Sequence, residues 1–248
     1  MTAATNLFEN LSPKEIYTLL TDPSNDLPTW PGEDIQARYN GMKGPAVIRR
    51  TRPFIKMLKR DGAFKEGWRA LDYGAGYGRI AALLLSKGTP DQLDLVDAWP
   101  KSLSYIEEGG FKNRYWLVPE ILGEGDIPKD TYTFVYAWSV FTHLAERAFW
   151  NNLHHLKESV KAGGSVYFTV RHADFAHHAY PERLDEITDG LESDGFWFAP
   201  VRGDLGGKGV YGNAIISKGR LLSELGQLDY LGMPCHRLQH VYALRIQG

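Results

Sequence analysis

Three glycines at alternate positions follow an aspartate in the run Leu71-Asp72-Tyr73-Gly74-Ala75-Gly76-Tyr77-Gly78-Arg79. A residue without Cβ lets the backbone bend sharply and lets a ligand approach closely. Placed where a strand turns into a helix, such a run is the outline of a nucleotide-binding loop. A second aspartate, Asp97, closes the next apolar segment, where its carboxylate can accept both hydroxyl hydrogens of a ribose. A dinucleotide loop reads G-x-G-x-x-G and seats a pyrophosphate on a helix N-terminus. Here the spacing is G-x-G-x-G. A carboxylate at position 72 opposes a pyrophosphate but suits an ammonium group, and S-adenosylmethionine carries an ammonium, a ribose and no phosphate.

Other side chains could move protons or grip a substrate. His143 and His172 each stand just past an apolar run, and an imidazole can take the proton of an alcohol near neutral pH. The plain alternative for His143 is a cap or packing contact on the next helix. His177 and His178 are adjacent and point apart, with no carboxylate cluster to complete a metal site; His154 and His155 read as a half-exposed pair on a helix. Trp30, Tyr39, Trp150, Phe196, Trp197 and Phe198 can stack on a ring or simply pack. Arg49, Arg50 and Arg52 fit an acidic ligand or a solvated helix face.

The elements that must position these residues are legible as periodic runs. Residues 69–72, 92–97, 133–138 and 165–170 read as short apolar strands. Residues 79–87 read as a helix stopped at Gly88, and 146–160 as one ended by Ala162-Gly163-Gly164. Strands alternating with helices imply a parallel sheet covered on both faces, and right-handed crossovers make it doubly wound. Ahead of it, residues 1–67 form an N-terminal helical arm or lid. Ser12-Pro13-Lys14-Glu15 is a capping box opening a helix through Leu20. A proline-rich loop at 22–32 follows, then a helix at 46–59 interrupted at Pro53. The domain proper is residues 68–248, with an insertion around 172–212 that is rich in histidine, aromatics and glycine (Gly203, Gly206, Gly207, Gly209, Gly212). A strand at 213–216, a helix near 217–226 and a strand at 241–246 could add an antiparallel edge pair to the sheet.

Composition narrows the function classes. With 28 basic and 30 acidic side chains in 248 residues, the formal charge of −2 supplies no field for non-specific nucleic-acid binding. The single cysteine, Cys235, excludes an internal disulfide and a cysteine-rich zinc site, and is expected to be inert. No stretch approaches the run of about 18 apolar residues that a membrane span needs, and the N-terminus lacks a signal-peptide pattern. The expectation is a soluble, cytoplasmic protein with no metal, no nucleic acid and no membrane among its partners.

The sequence resembles the class I S-adenosylmethionine-dependent methyltransferases. Asp72 to Gly78 is similar to their first motif and Asp97 to their second. The run from Asp126 through Trp138-Ser139 to His143 looks like their fourth-strand region, and Leu156 to Thr169, with its glycine pair, like the approach to their fifth strand. Tyr132-Thr133 departs from the Phe-Asp that often opens strand four. The resemblance implies a mostly parallel, seven-stranded Rossmann-like sheet with S-adenosyl-L-methionine as cofactor. It further implies that Asp72 holds the cofactor ammonium and that the backbone of Tyr73, Gly74, Ala75 and Gly76 lines the methionine part. Asp97 would take the ribose, Ala98 or Trp99 the adenine face, and Glu124 or Asp126 the adenine edge, with Trp138 and Ser139 beside the sulfonium. The expected activity is methyl transfer to oxygen of a small or saccharide-like acceptor, His143 or His172 serving as base. The alternatives are an N-methyltransferase on a small amine and a non-catalytic cofactor-binding partner subunit; a nicotinamide oxidoreductase is disfavoured by Asp72 and the glycine spacing.

Overall fold

The computed structural model describes residues 7–201, 209–234 and 238–247. Cys235 and the glycines at 203, 206 and 207 lie outside the described residues. The chain divides into two compact units, Met1–Val118 and Pro119–Gly248.

The first unit runs α1 (Pro13–Thr21), α2 (Glu33–Asn40), α3 (Pro45–Arg60), β1 (Ala70–Tyr73), α4 (Arg79–Leu84), β2 (Leu93–Asp97), α5 (Pro100–Glu108) and β3 (Tyr115–Leu117). The capping box of α1 forms as expected: Glu15 N–H donates to Ser12 Oγ at 3.2 Å, and Ser12 N–H to the Glu15 carboxylate at 2.7 Å. The interruption expected at Pro53 does not occur, since α3 continues through it. The missing amide hydrogen costs one helical bond, and a buried stripe of Val47, Ile48, Thr51, Phe54, Ile55 and Leu58 holds the helix together. Helix α4 is shorter than the expected 79–87. Strands β1 and β2 are buried along their whole length, as parallel strands covered on both faces must be. They pair in parallel with Asp72 opposite Leu95, and β2 pairs in parallel with β3. Asp94, a buried acid within β2, is held by Arg69 at 3.1 Å and by Arg114; it belongs to the fold.

The second unit runs β4 (Tyr132–Ala137), α6 (Glu146–Ser159), β5 (Val160–Val170), α7 (Ala173–Ala179), α8 (Leu184–Ser193), β6 (Phe196–Pro200), β7 (Gly212–Ile216), α9 (Lys218–Leu225), β8 (Asp229–Gly232) and β9 (His240–Arg245). Its sheet strands have the order β4-β5-β9-β8, with β4–β5 parallel and the other two pairs antiparallel. Two expectations are corrected here. Ala162-Gly163-Gly164 lies inside β5 rather than beyond a helix end: Gly163 has φ +79°, and a Cβ on Gly164 would stand 2.4 Å from the Thr133 carbonyl oxygen. The strand at 213–216 does not join the main sheet. As β7 it forms an antiparallel ribbon with β6, and the antiparallel edge pair is β9 with β8. The insertion has its own small core of Ala176, Ile187, Trp197 and Ile215.

The fold is α/β, with a mostly parallel, seven-stranded sheet and helices at the N-terminus. Among the described residues, no helix is long and apolar enough to cross a membrane.

Candidate active site

In the first unit, Asp72 and Asp97 lie near the C-terminal ends of the paired strands β1 and β2, exposed by only 2% and 8%. Gly74, Gly76 and Gly78 all take left-handed φ values, +80°, +59° and +78°, a region costly for other residues. At Gly78 the requirement is steric as well, because a Cβ there would meet Phe111 Cζ at 2.3 Å. The bend turns three successive amides toward β2. Gly74 and Ala75 N–H donate to the Val96 carbonyl at 2.9 and 3.0 Å, and Gly76 N–H to Asp97 Oδ2 at 2.8 Å. Those three donors are engaged within the protein and so are not available to grip a pyrophosphate.

Asp97 is the hub of this unit. Its Oδ1 accepts from Trp99 N–H at 2.8 Å. Burial pushes its carboxyl above the ordinary range, against the opposing pull of hydrogen bonds from Trp99, Gly76, Ser102 and Ala98. Each oxygen that accepts one backbone bond retains further acceptor capacity, so a vicinal diol can still dock on it. Tyr73 and Ala75 are buried, whereas Ala98 and Trp99 are half-buried just past β2.

Helix α2, which no apolar period announces, grips the same loop. It buries two polar residues. Gln36 Nε2 donates to the Pro31 carbonyl at 2.8 Å while its Oε1 accepts from Gly44 N–H at 3.0 Å. Asn40 Nδ2 donates to Tyr77 Oη at 2.7 Å. Burial raises the Tyr77 phenol to about 12, so it stays protonated. Trp30 and Tyr39 pack edge-on against Tyr77 with centroids 5.8 and 5.7 Å away. Arg52 is likewise structural, donating to the carbonyls of Phe8 and Leu11.

In the second unit the titratable side chains are tied to one another. His143 Nδ1 lies 2.7 Å from the Gly212 carbonyl and therefore carries hydrogen. Its Nε2 then faces Arg171 Nη2 at 3.4 Å as an acceptor, and the ring stacks on Tyr211. Arg171, buried at the end of β5, also donates to Thr142 O and Asn213 Oδ1 and lies over the Phe175 ring. His172 repeats the pattern: Nδ1 donates to the Ile216 carbonyl, and Nε2 accepts from Tyr242 Oη at 2.8 Å. Burial lowers the His172 pKa, and desolvation raises that of Tyr242 to about 12, so both are neutral at pH 7. Beside them, His240 pairs with Asp174 at 2.8 Å and with Tyr230 Oη at 3.2 Å, its ring 4.5 Å from that of His172. The sequence reading named His143 and His172 but not Arg171, His240, Asp174 or Tyr242; alternation of His240 and Tyr242 on one strand face was the available signal.

Trp138 is buried after β4. Ser139 has φ +61°, unusual for a residue with a Cβ; its N–H donates to Thr169 Oγ1 and its Oγ to Gln239 Oε1, both at 2.8 Å. Glu124 is 87% exposed, 3.9 Å from Lys129, and Asp126 accepts from Gly123 N–H at 2.6 Å. The first unit thus gathers Asp72, residues 73–76, Asp97, Ala98 and Trp99. Glu124, Asp126, Trp138, Ser139, His143 and His172 belong to the second. His177 and His178 are exposed on α7.

A family model described as Methyltransferase domain matches residues 44–203. The fold is similar to that of an S-adenosylmethionine-dependent methyltransferase from Methanosarcina mazei, with TM-score 0.56 and 13% identity over 77% of this chain and 98% of that one. It is similar also to the DhpI–SAM–HEP complex, with TM-score 0.56 and 14% identity over 99% and 100% of the two chains. A third likeness is to the complex between the Haloferax volcanii Trm112 methyltransferase activator and a methyltransferase, with TM-score 0.51 and 15% identity over 87% and 97%. Among curated proteins none matches.

Proposed function

Because the chain belongs to the methyltransferase domain family and is an S-adenosylmethionine-dependent enzyme, we propose that it transfers a methyl group to an oxygen of a small or saccharide-like acceptor. The observation that carries the cofactor half is the loop whose amides at 74–76 are turned inward between two buried carboxylates. Such a loop favours a ligand with an ammonium and a diol over one with phosphates. In this reading Asp72 and the backbone of residues 73–76 hold the methionine part, and Asp97 takes the ribose. Ala98 or Trp99 covers the adenine, Glu124 or Asp126 meets its edge, and Trp138 and Ser139 flank the sulfonium. When bound, S-adenosylmethionine supplies a methyl group activated by positively charged sulfur, so the protein's task is alignment and, for a hydroxyl acceptor, removal of a proton.

For that proton we assign His172 ahead of His143. Both rings have Nδ1–H fixed on a carbonyl, which leaves Nε2 as the base. Protonating His143 would put an imidazolium 3.4 Å from the Arg171 guanidinium, whereas His172 Nε2 meets a neutral phenol. The His143–Arg171 contact also favours a second reading, a small-amine acceptor that needs no base. The 1–67 arm is assigned to the cofactor side and the 172–212 insertion to acceptor recognition; an activator subunit, as in the Haloferax volcanii complex, is a further partner class. The test is calorimetric titration with S-adenosylhomocysteine and, separately, NADH. Binding of the first alone is expected; binding of NADH alone, or of neither, would sink the cofactor assignment. Acceptor screening, hydroxyls beside amines, then separates the two readings.

A further inference from the structure

Two imidazoles meet in the second unit, where His172 stands at the head of α7 and His240 opens β9, their ring centroids 4.5 Å apart. Their surroundings differ. His240 Nε2 lies 2.8 Å from Asp174 Oδ2, and the other oxygen of that carboxylate accepts from Phe175 N–H at 3.0 Å. An ionised carboxylate only accepts, so the hydrogen between them sits on His240 Nε2. Nδ1 of the same ring is 3.2 Å from Tyr230 Oη. A hydroxyl can donate to a bare nitrogen or accept from a protonated one, so His240 gains a second proton with both nitrogens still bonded and an anion beside it. The side chains of His240 and Asp174 are 13% and 39% exposed, so a charged pair here keeps contact with water. His172 instead touches two uncharged groups, the Ile216 carbonyl through Nδ1 and the Tyr242 phenol through Nε2. Burial already disfavours charge on it.

We propose that His240 and Asp174 form a positioning pair for His172: a proton entering the cluster rests on His240 beside its carboxylate, and the charge so placed keeps the neighbouring ring neutral. Among the described residues, the charged and titratable groups around His172 are Asp174 on α7, His240 and Tyr242 on β9, Tyr230 on β8 and Lys218 on α9. Lys218 adds to the repulsion, and Asp174 opposes it from a position where His240 already engages it. Two like charges this close do not titrate independently, so the second proton is disfavoured. Were the contact packing alone, each ring would titrate without regard to the other. The consequence for catalysis rests on the reading of His172 as base, since only the neutral ring can take a proton from an acceptor. His240 then extends the working range of that base toward acid.

The experiment is proton–nitrogen NMR of the histidine side chains in the full chain without cofactor, titrated between pH 8 and 5, for wild type, His240→Gln and Asp174→Asn. Signals are assigned by their loss in His240→Gln and in His172→Gln. In wild type the His240 nitrogens should reach the imidazolium pattern first, while His172 keeps one protonated and one bare nitrogen. In His240→Gln the protonation of His172 should move to higher pH by about one unit, tenfold in proton affinity, because a repelling charge is gone and Asp174 is released. In Asp174→Asn the gap between the two rings should narrow by about tenfold. His172 charging first in wild type would overturn the inference, and so would identical His172 titration in wild type and His240→Gln. The wild-type order decides the matter even where a variant fails to fold. Turnover separates this inference from the reading beneath it. Activity lost in His172→Gln, with His172 charging first in wild type, would keep the base and reject the pair; full activity in His172→Gln, with His240 charging first, would keep the pair and reject the base.

Discussion

The glycine loop of the first unit and the histidine-bearing region of the second are both held by polar contacts but are wired differently. Around the loop, backbone does most of the work: Gly76 and Trp99 amides hold Asp97, and Val96 holds the amides of residues 74 and 75. In the second unit, side chains reach across long stretches of sequence, to backbone or to one another. His143 reaches Gly212, His172 reaches Tyr242, His240 reaches Asp174 and Ser139 reaches Gln239, separations of 69, 70, 66 and 100 residues. A backbone cradle recognises what related cofactors share. A side-chain network can be rewritten one residue at a time, and we assign acceptor specificity and proton transfer to it for that reason.

That contrast is broken or sharpened first by turnover. His172→Gln is expected to lower turnover by about two orders of magnitude or more while leaving S-adenosylhomocysteine affinity unchanged, since a positioned base contributes on the order of 10²–10⁴-fold. A parallel His143→Gln variant should lose less. Equal, full activity in both would move the reading to the amine acceptor, and weakened cofactor binding in either would undo the separation of tasks.

The loop should answer in the opposite sense, through folding. Gly78→Ala combines a left-handed φ with a Cβ driven into the Phe111 ring. Strain and overpacking together are expected to cost about 3 kcal/mol of stability, measured by denaturant unfolding. An unchanged midpoint would mean the loop relaxes freely. Asp97→Ala should weaken S-adenosylhomocysteine binding by roughly 1.5–3 kcal/mol, read by calorimetry, with turnover at saturating cofactor affected less.

How much was legible in the sequence follows the same divide. The strand ending at Asp97, the glycine turn and the capping box of α1 are local patterns, and they were readable because each is fixed by neighbours a few residues away. The doubly wound parallel sheet was likewise carried by alternation of strand and helix, whereas its seven strands came from the family resemblance. Helix α2 was not, because Glu33–Asn40 buries Gln36 and Asn40 in place of an apolar stripe, and polar burial has no period to detect. The pairing of β7 with β6 instead of the main sheet was equally hidden: an apolar five-residue run says it is a strand but not which edge it meets. His143 and His172 could be named as residues, but their tautomers are set by Gly212 and Ile216, which only folding brings near.

The smallest effect expected is also the one that compares the two regions within a single experiment. Burial displaces the titration of Asp97 upward and that of His172 downward, and the two displacements act on stability with opposite sign. Stability changes with pH as the difference in protons bound by the unfolded and native states. Between the ordinary carboxylate value of 3.8 and its raised native pKa, Asp97 binds more proton in the native state, so its contribution falls as pH rises through that window. Between its lowered native pKa and the ordinary histidine value of 6.5, His172 binds more proton in the unfolded state, so its contribution rises with pH up to 6.5. Each slope is bounded by about 1.4 kcal/mol per pH unit for one proton. Denaturant unfolding of the cofactor-free protein across acid and neutral pH should therefore show His172→Gln flattening the rise that approaches pH 6.5, and Asp97→Asn flattening the fall above pH 3.8. A profile unchanged by Asp97→Asn would mean that the backbone bonds from Gly76 and Trp99 fully offset desolvation, making the loop a cradle that holds its charge without cost. A profile unchanged by His172→Gln would mean instead that the histidine side admits enough water to titrate as a surface group, in spite of the bonds that hold its ring to Ile216 and Tyr242.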